Sequence, residues 1–192
     1  VPADGQLTEL NYYKNESEAF AGLVAAYDPI RKNSGGFENM ITMMNAGSDD
    51  QYAGGGGETD GVGIQSFSNY SQSQFTIPRS FWSDHYQGIF RTNILLKKLP
   101  NVPMDEAKKT RFAAEAKTLR ALYYFNLVRM FKNVPLIVEP VDPVSMYDIK
   151  QATPAEVYKQ IEDDLLSSLN NLPSTVSSSE LGRLTKGAAQ AL

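Results

Sequence analysis

The sequence predicts a mainly α-helical protein with one long irregular, glycine-rich excursion. Apolar residues recur every three to four positions over several stretches, which is the spacing of amphipathic helices. Proline and glycine clusters separate these stretches, as expected at helix ends. One internal segment, residues 45–78, has neither the periodicity nor the composition of a helix.

Composition excludes several classes of protein. The 192 residues suit one domain, or one domain with an incomplete second, and a hydrophobic fraction of 42% suits a packed core. The net charge of −4 disfavours a nucleic-acid binder, which needs a basic face. No apolar run approaches the ~20 residues that span a bilayer. Without cysteine and with one histidine, disulfides, thiolate zinc sites and most hydrolytic triads are excluded.

The first helix is predicted to begin at the capping residues Asn15 and Ser17 and to end at the glycine turn 33–36. Its predicted apolar stripe consists of Ala19, Leu23, Ala26, Tyr27 and Ile30. The apolar residues 37–44 that follow fit a helix or a strand equally well.

The excursion at 45–78 differs in kind from the rest of the chain. It holds seven glycines, four of them consecutive at 54–57, and four acids with no Lys or Arg. Four glycines in a row do not sustain a helix or strand interior. Irregular segments this long are uncommon inside compact domains and are usually functional or mobile.

Two long helices are predicted over residues 79–98 and 104–131, and prolines at 100 and 135 end them. The first stripe consists of Trp82, Tyr86, Ile89, Asn93 and Leu96; the second consists of Phe112, Ala116, Leu119, Tyr123, Leu127 and Met130. An extended connector is predicted at 136–150.

A helix over 153–172 is predicted from the capping box Thr153-Pro154-Ala155-Glu156. A last helix begins after Thr185, and its small-residue face has nothing yet to pack against. The helix pairs resemble tetratricopeptide-like helical repeats, to which the Ala-x3-Phe element at 121–125 adds a weak signal. We therefore expect 1–192 to be one helical domain with the loop 45–78 inserted, truncated within its last helix, and to be the N-terminal part of a larger protein.

One block resembles a known family. The run 111–131, which contains Ala-Glu-Ala, Leu-Arg-Ala and Tyr-Tyr-Phe, followed by Asn-Val-Pro-Leu at 133–136, is similar to the signature helix of the SusD/RagB family. Other segments agree in order: 2–8 with 11–14, 82–93, 153–158 and 182–189. The resemblance therefore extends over nearly the whole chain.

The resemblance carries functional implications. SusD-like proteins are surface lipoproteins of Bacteroidetes, anchored in the outer membrane by an acylated cysteine that would lie upstream of Val1. They bind glycans without catalysis and sit as a lid on a SusC-like TonB-dependent transporter. We expect no cofactor and no bound metal. Two alternatives stay open: a peptide or protein nutrient receptor on the same scaffold, and a transporter lid without affinity for free ligand.

The predicted ligand-binding residues lie on the excursion. They are Asp49, Asp50, Tyr52, Phe67, Asn69, Tyr70 and Phe75. Sugar recognition needs flat apolar faces beside amide or carboxylate groups in a largely preformed site. This excursion supplies both, although Tyr52 and Phe67 could instead pack back onto the helices.

Other candidates are weaker. The aromatic stripe in 111–131 and Trp82 fit a helical core better than a binding face, with Arg120 paired to an acid such as Glu115 or Asp163. The excursion's acids do not have the spacing of a known Ca²⁺ loop. His85 and its neighbour Asp84 point in different directions on a helix, so they do not form a catalytic pair. Gly54 to Gly57 lacks the Lys and Ser/Thr of a phosphate loop.

Overall fold

The computed structural model describes residues 12–32, 39–142 and 144–192. Within these ranges the chain forms seven α-helices and one short antiparallel sheet. The helices are α1 Glu16–Tyr27, α2 Met40–Ala46, α3 Val62–Ser68, α4 Arg79–Lys98, α5 Glu106–Phe131, α6 Pro154–Ser168 and α7 Lys186–Ala191. The strands β1 Val134–Pro135 and β2 Gln151–Ala152 pair at the two ends of the connector.

The chain divides into two compact units, and the division falls within α4. Residues 1–28 and 87–192 form what we call the helical unit, and residues 29–86 form the excursion unit. In neither unit do the described residues include a helix that is both long and apolar enough to cross a membrane.

Helix α1 begins as predicted and ends early. The side chain of Asn15 accepts a hydrogen bond from the Glu18 amide at 3.0 Å, which caps the first turn. The helix stops at Tyr27, before the predicted Ile30, because Pro29 has no backbone N–H to donate. A 3-10 turn over Asp28–Arg31 follows, and the predicted glycine stop at 33–36 lies outside the described residues.

Helix α5 is the centre of the helical unit. It packs against α1 and α6, and its predicted stripe is buried except for the half-buried Met130. The Tyr123 hydroxyl donates to the Ala26 carbonyl at 2.6 Å, which ties α5 to the end of α1. Gly88 of α4 lies against the Tyr123 ring so closely that a Cβ there would overlap the ring.

A buried ion pair joins α5 to α6, with a different partner from those predicted. Arg120 Nε and Nη2 donate to the two carboxylate oxygens of Asp164 at 2.8 and 2.7 Å. The predicted partners were wrong: Glu115 is bonded elsewhere, and Asp163 lies on the outer face of α6 and pairs with Lys159. One residue is about 100° of helix rotation, which brings Asp164 rather than Asp163 to the inner face.

Glu115 organises a second buried network in the helical unit. Its carboxylate is fully buried and accepts from the Tyr27 hydroxyl at 2.6 Å, Arg183 Nη2 at 2.6 Å and Arg111 Nε at 3.1 Å. Burial, together with the charge of Glu115, raises the pKa of Tyr27 well above its ordinary value, so the hydroxyl stays protonated as a donor. The network therefore fixes α1, α5 and the segment before α7 to one another.

The buried face of α4 is displaced by one position from the predicted stripe. Trp82, Tyr86 and Leu96 are half-buried, whereas Ile89 and Asn93 are buried as predicted. The other buried side chains are Phe81, His85, Thr92 and Leu95. The buried polar side chains of His85 and Thr92 form hydrogen bonds with backbone carbonyls within the helix. A periodicity counted on apolar residues alone does not include them.

In the excursion unit, α2 and α3 pack together. The ambiguous segment 37–44 is a helix from Met40, capped by the Asn39 side chain, which accepts from the Thr42 amide at 2.9 Å. The irregular excursion holds a short helix, α3, that its composition did not predict. Glycines cluster before α3, while the residues within it still place Ser66 and Phe67 on a buried face.

Candidate functional site

The glycine-rich turn before α3 is held by its own hydrogen bonds. The Gln65 side-chain amide donates to the carbonyls of Gly57 at 3.1 Å and Asp60 at 2.6 Å. The Asp60 carboxylate accepts from the Gly56 amide at 2.8 Å. Gly61 starts the helix in the left-handed region, at φ 65°, which favours glycine. The turn therefore has a defined shape rather than that of a free coil.

Tyr70 follows α3 in a constrained position. Its backbone is also left-handed, at φ 55°, which is uncommon for a tyrosine. Its hydroxyl donates to the Gly47 carbonyl at 2.7 Å, and its ring is 75% exposed. A ring that is fixed at its hydroxyl end and open to solvent on the rest of its surface is a preformed apolar platform.

Two further aromatic side chains of the excursion are exposed. Tyr52 is 88% exposed and Phe75 is 82% exposed. The Ala53 amide donates weakly to Ser68 Oγ at 3.4 Å, and this contact places the Tyr52 segment beside the end of α3. The Phe75 amide donates to Ser73 Oγ at 3.2 Å within a turn. Both rings can therefore meet a ligand from solvent.

The predicted polar groups lie on the same unit. Asp49 and Asp50 are exposed just after α2. Asn69 is exposed at the end of α3, where its side-chain oxygen accepts from the Ser71 amide at 3.1 Å and from the Ser71 hydroxyl. These two bonds use the Asn69 side-chain oxygen and not its amide nitrogen.

Phe67 departs from the prediction. It is only 8% exposed and belongs to the buried face of α3, so its ring cannot stack on a ligand. Helix geometry explains this, because the formation of α3 turns the Phe67 position inward while Asn69 and Tyr70 fall beyond its end. Of the two aromatic residues that could have packed back, Phe67 does so and Tyr52 does not.

The titratable residues His85 and Asp84 make contacts that serve the fold. His85 is buried, with Nδ1 2.8 Å from the Phe81 carbonyl, and burial lowers the pKa of its imidazole below the ordinary value. The Asp84 carboxylate forms an ion pair with Lys32 at 3.2 Å. In the described parts of the chain, no three His, Cys, Asp or Glu side chains gather as metal ligands would.

The family model described as "Starch-binding associating with outer membrane" matches residues 26–192, most of the chain. The chain belongs to the SusD-like family. This confirms the family resemblance predicted from the sequence, and the helices described above confirm the mainly helical fold.

Among SusD-like relatives, protein P38 of Formosa agariphila is 28% identical over 190 residues, which cover 94% of this chain and 34% of the relative. A solved structure described as a laminarin binding SusD-like protein is 58% identical, with a TM-score of 0.88, over 93% of this chain and 39% of that chain. Surface glycan-binding protein A from Bacteroides uniformis is 28% identical with a TM-score of 0.83, over 91% and 40%. The chain thus spans between 34% and 40% of the length of these three relatives.

Sequence reasoning missed the residues that give the excursion its shape. The Gln65 side chain holds the turn, and the Gly47 carbonyl holds the Tyr70 ring through its hydroxyl. A signal for Gln65 exists: a side chain with two amide donors lies eight residues after a run of glycines whose carbonyls need donors.

Proposed function

We propose that this SusD-like chain contributes a glycan-binding surface to a non-catalytic protein of the outer membrane. The ligand class that we favour is a neutral glucan of the laminarin type. The observation that carries this proposal is the exposure of Tyr52, Tyr70 and Phe75 on one unit, in a chain 58% identical to a laminarin-binding protein.

In this proposal, aromatic rings and polar groups contact different parts of a sugar. The C–H face of a glucose ring is apolar and packs on an aromatic ring, and we take the about 0.5–1.5 kcal/mol of an aromatic pair as the scale of one such contact. The carboxylates of Asp49 and Asp50 and the amide of Asn69 would hydrogen-bond the hydroxyls at the ring edge. Because the Tyr70 hydroxyl is already bonded to Gly47, little conformational freedom is lost when a sugar stacks there.

The wider setting follows from the family. A lipid-anchored SusD-like protein at the cell surface would pass its glycan to a SusC-like TonB-dependent transporter. Individual sugar contacts would be weak, and a polymer that meets several of them gains affinity through effective concentration. Chemical conversion of the glycan is not part of this role.

The test is native affinity electrophoresis in gels that contain laminarin or other soluble polysaccharides. We expect laminarin to retard the wild-type chain, and Tyr52→Ala and Tyr70→Ala each to weaken binding about three- to tenfold, the equivalent of one lost ring contact. Tyr147→Ala is the matched control, because Tyr147 is equally exposed but belongs to the helical unit.

Two outcomes would contradict the proposal. If no polysaccharide retards the wild-type chain, a peptide receptor or a transporter lid becomes the better interpretation. If laminarin retards all four proteins equally, the chain binds a glucan but not through Tyr52 or Tyr70.

A further inference from the structure

We propose that the helical unit carries a second contact site for a neutral sugar, in a pocket between α1, α5 and the segment that precedes α7. The site lies outside the excursion unit and uses none of the residues discussed above for ligand binding. The choice of ligand class rests on the proposed function, whereas the location of the site does not.

The pocket has the size and lining of a small-ligand site. Its volume is about 540 Å³, within the range of clefts that hold small molecules. Helix α1 and helix α5 supply most of the wall, and the segment before α7 supplies the rest. The lining residues are Glu16, Ser17, Phe20, Lys108, Arg111, Phe112, Glu180 and Arg183.

Phe20 supplies an aromatic platform in this pocket. It lies outside the buried stripe of α1 and is 43% exposed. Its ring packs against Phe112, with 5.8 Å between centroids, and the Arg183 guanidinium carbon lies 5.6 Å from its centroid. These contacts hold the ring in place and leave almost half of the side chain open for the C–H face of a sugar.

The polar wall is dense in hydrogen-bonding groups. Lys108 Nζ lies 2.5 Å from Glu16 Oε1. Glu180 Oε1 accepts from Arg111 Nη1 at 3.0 Å and from Arg183 Nη1 at 2.5 Å. A carboxylate has about four acceptor positions and an ammonium has three donors, so the Glu16, Lys108 and Glu180 groups keep capacity for sugar hydroxyls.

The charges of the pocket balance, and this decides between ligand classes. Three cationic side chains line it, Lys108, Arg111 and Arg183, and three carboxylates face them when the buried Glu115 is included with Glu16 and Glu180. An anionic ligand would meet no net positive charge here, nor would a cation meet net negative charge. Many paired polar groups beside one aromatic ring suit a neutral polyhydroxyl ligand.

Arg111 adds an unused donor. Its Nε and Nη1 atoms are bonded to Glu115 and Glu180, but Nη2 is buried and has no acceptor among the residues that the structure describes. A buried donor without an acceptor costs about 1–3 kcal/mol. Because Nη2 is buried, a sugar hydroxyl in the pocket can supply the missing oxygen only if the Arg111 side chain turns toward it.

The test measures laminarin binding by isothermal titration calorimetry for four proteins: wild type, Phe20→Ala, Phe20→Trp and Val24→Ala. Val24 is the control because it lies one turn further along α1, is also exposed, and does not line the pocket. We expect Phe20→Ala to weaken binding about tenfold, and Phe20→Trp and Val24→Ala to bind as the wild type does. Thermal melting of each variant confirms that it is folded.

The same four proteins are compared in a Tyr52→Ala/Tyr70→Ala background. There we expect residual laminarin binding that Phe20→Ala removes. If Phe20→Ala binds laminarin like the wild type in both backgrounds, this inference fails while the proposed function stands. If the wild type binds no laminarin, both fail. Tighter binding of alginate, a charged polyuronate, than of laminarin at this pocket would overturn the neutral-sugar assignment.

Discussion

Gly88 lies where α4 passes the ring of Tyr123, and packing requires it to lack a side chain. In an exposed helix position, Gly→Ala would stabilise by up to about 1 kcal/mol, because alanine has the higher helix propensity. At Gly88 the added methyl overlaps a buried ring whose hydroxyl is tied to the Ala26 carbonyl. At Gly88, steric overlap therefore predicts that Gly→Ala lowers the free energy of unfolding, whereas helix propensity predicts that it raises it.

We expect Gly88→Ala to lower the free energy of unfolding by about 1–3 kcal/mol, the usual cost of overpacking. Chemical denaturation measures this, with Gly57→Ala as the control because no atom lies within 4 Å of a Cβ at Gly57. A stabilised Gly88→Ala protein would show that the ring moves aside at no cost, contrary to the packing described.

Lys132 is the second residue with a conformational requirement. It follows α5 with φ 65° and ψ −85°, close to the rare γ-turn conformation, which is strained for residues other than glycine. Its side chain is exposed, so a substitution there changes mainly the backbone energy.

Lys132→Gly is therefore expected to raise the free energy of unfolding by about 1 kcal/mol, since relief of strain exceeds the added freedom of the unfolded chain. The midpoint of denaturant unfolding measures this change when the slopes of the two transitions are equal. The control Lys132→Ala keeps the Cβ and should show no gain in the free energy of unfolding. A loss of stability in Lys132→Gly would mean that the residue is unstrained.

At the scale of elements, the start of α6 is the best-defined signal in the sequence. The Glu156 carboxylate accepts from the Thr153 amide at 2.7 Å, and Thr153 Oγ1 accepts in return from the Glu156 amide at 3.4 Å. The Thr153 hydroxyl, which donates to the Glu156 carboxylate at 2.7 Å, and the Thr153 amide lower the pKa of Glu156. Because α6 carries Asp164, the cap also sets the register of the pair with Arg120.

Thr153→Ala should lower the free energy of unfolding by about 1 kcal/mol through loss of the cap, whereas Thr153→Ser should retain most of the stability. Thermal denaturation of the three proteins gives the comparison. Equal melting temperatures for wild type and Thr153→Ala would indicate that packing alone fixes the start of α6.

The elements also show how far the sequence could be interpreted. Helices with capping residues and uniform apolar stripes, α5 and α6, were predicted within two residues at their starts, because periodicity and caps are local signals. Helix α3 was not predicted, since a seven-residue helix after a glycine run forms mainly through contacts with α2. Asp163 was predicted as a partner of Arg120, but Asp164 is the residue that pairs with it. Spacing alone therefore does not decide which of two adjacent helix positions faces the partner.

The candidate site was predictable in composition but not in arrangement. The excursion stood out by its glycines and acids, and Tyr52, Tyr70 and Phe75 are exposed there as binding requires. The burial of Phe67 depends on α3, which the sequence did not indicate. Phe20 could have been noticed as an aromatic residue outside the stripe of α1, but its pocket depends on Arg183, over 160 positions away in the chain.

At the scale of the whole molecule, two separate sugar contacts would make binding depend on polymer length. An oligosaccharide that reaches one contact binds with the affinity of that contact, whereas a longer glucan can meet several in turn and gains from effective concentration. Under the proposed function, this would favour capture of polymers over their small breakdown products.

NMR titration of the ¹⁵N-labelled chain with a laminarin-derived oligosaccharide tests most directly whether the excursion unit contacts a glucan. We expect saturable shifts of backbone amides within 47–75, including those of Tyr52 and Tyr70. Under saturating oligosaccharide, an unchanged spectrum over those residues would contradict the account, even if shifts occurred elsewhere in the chain.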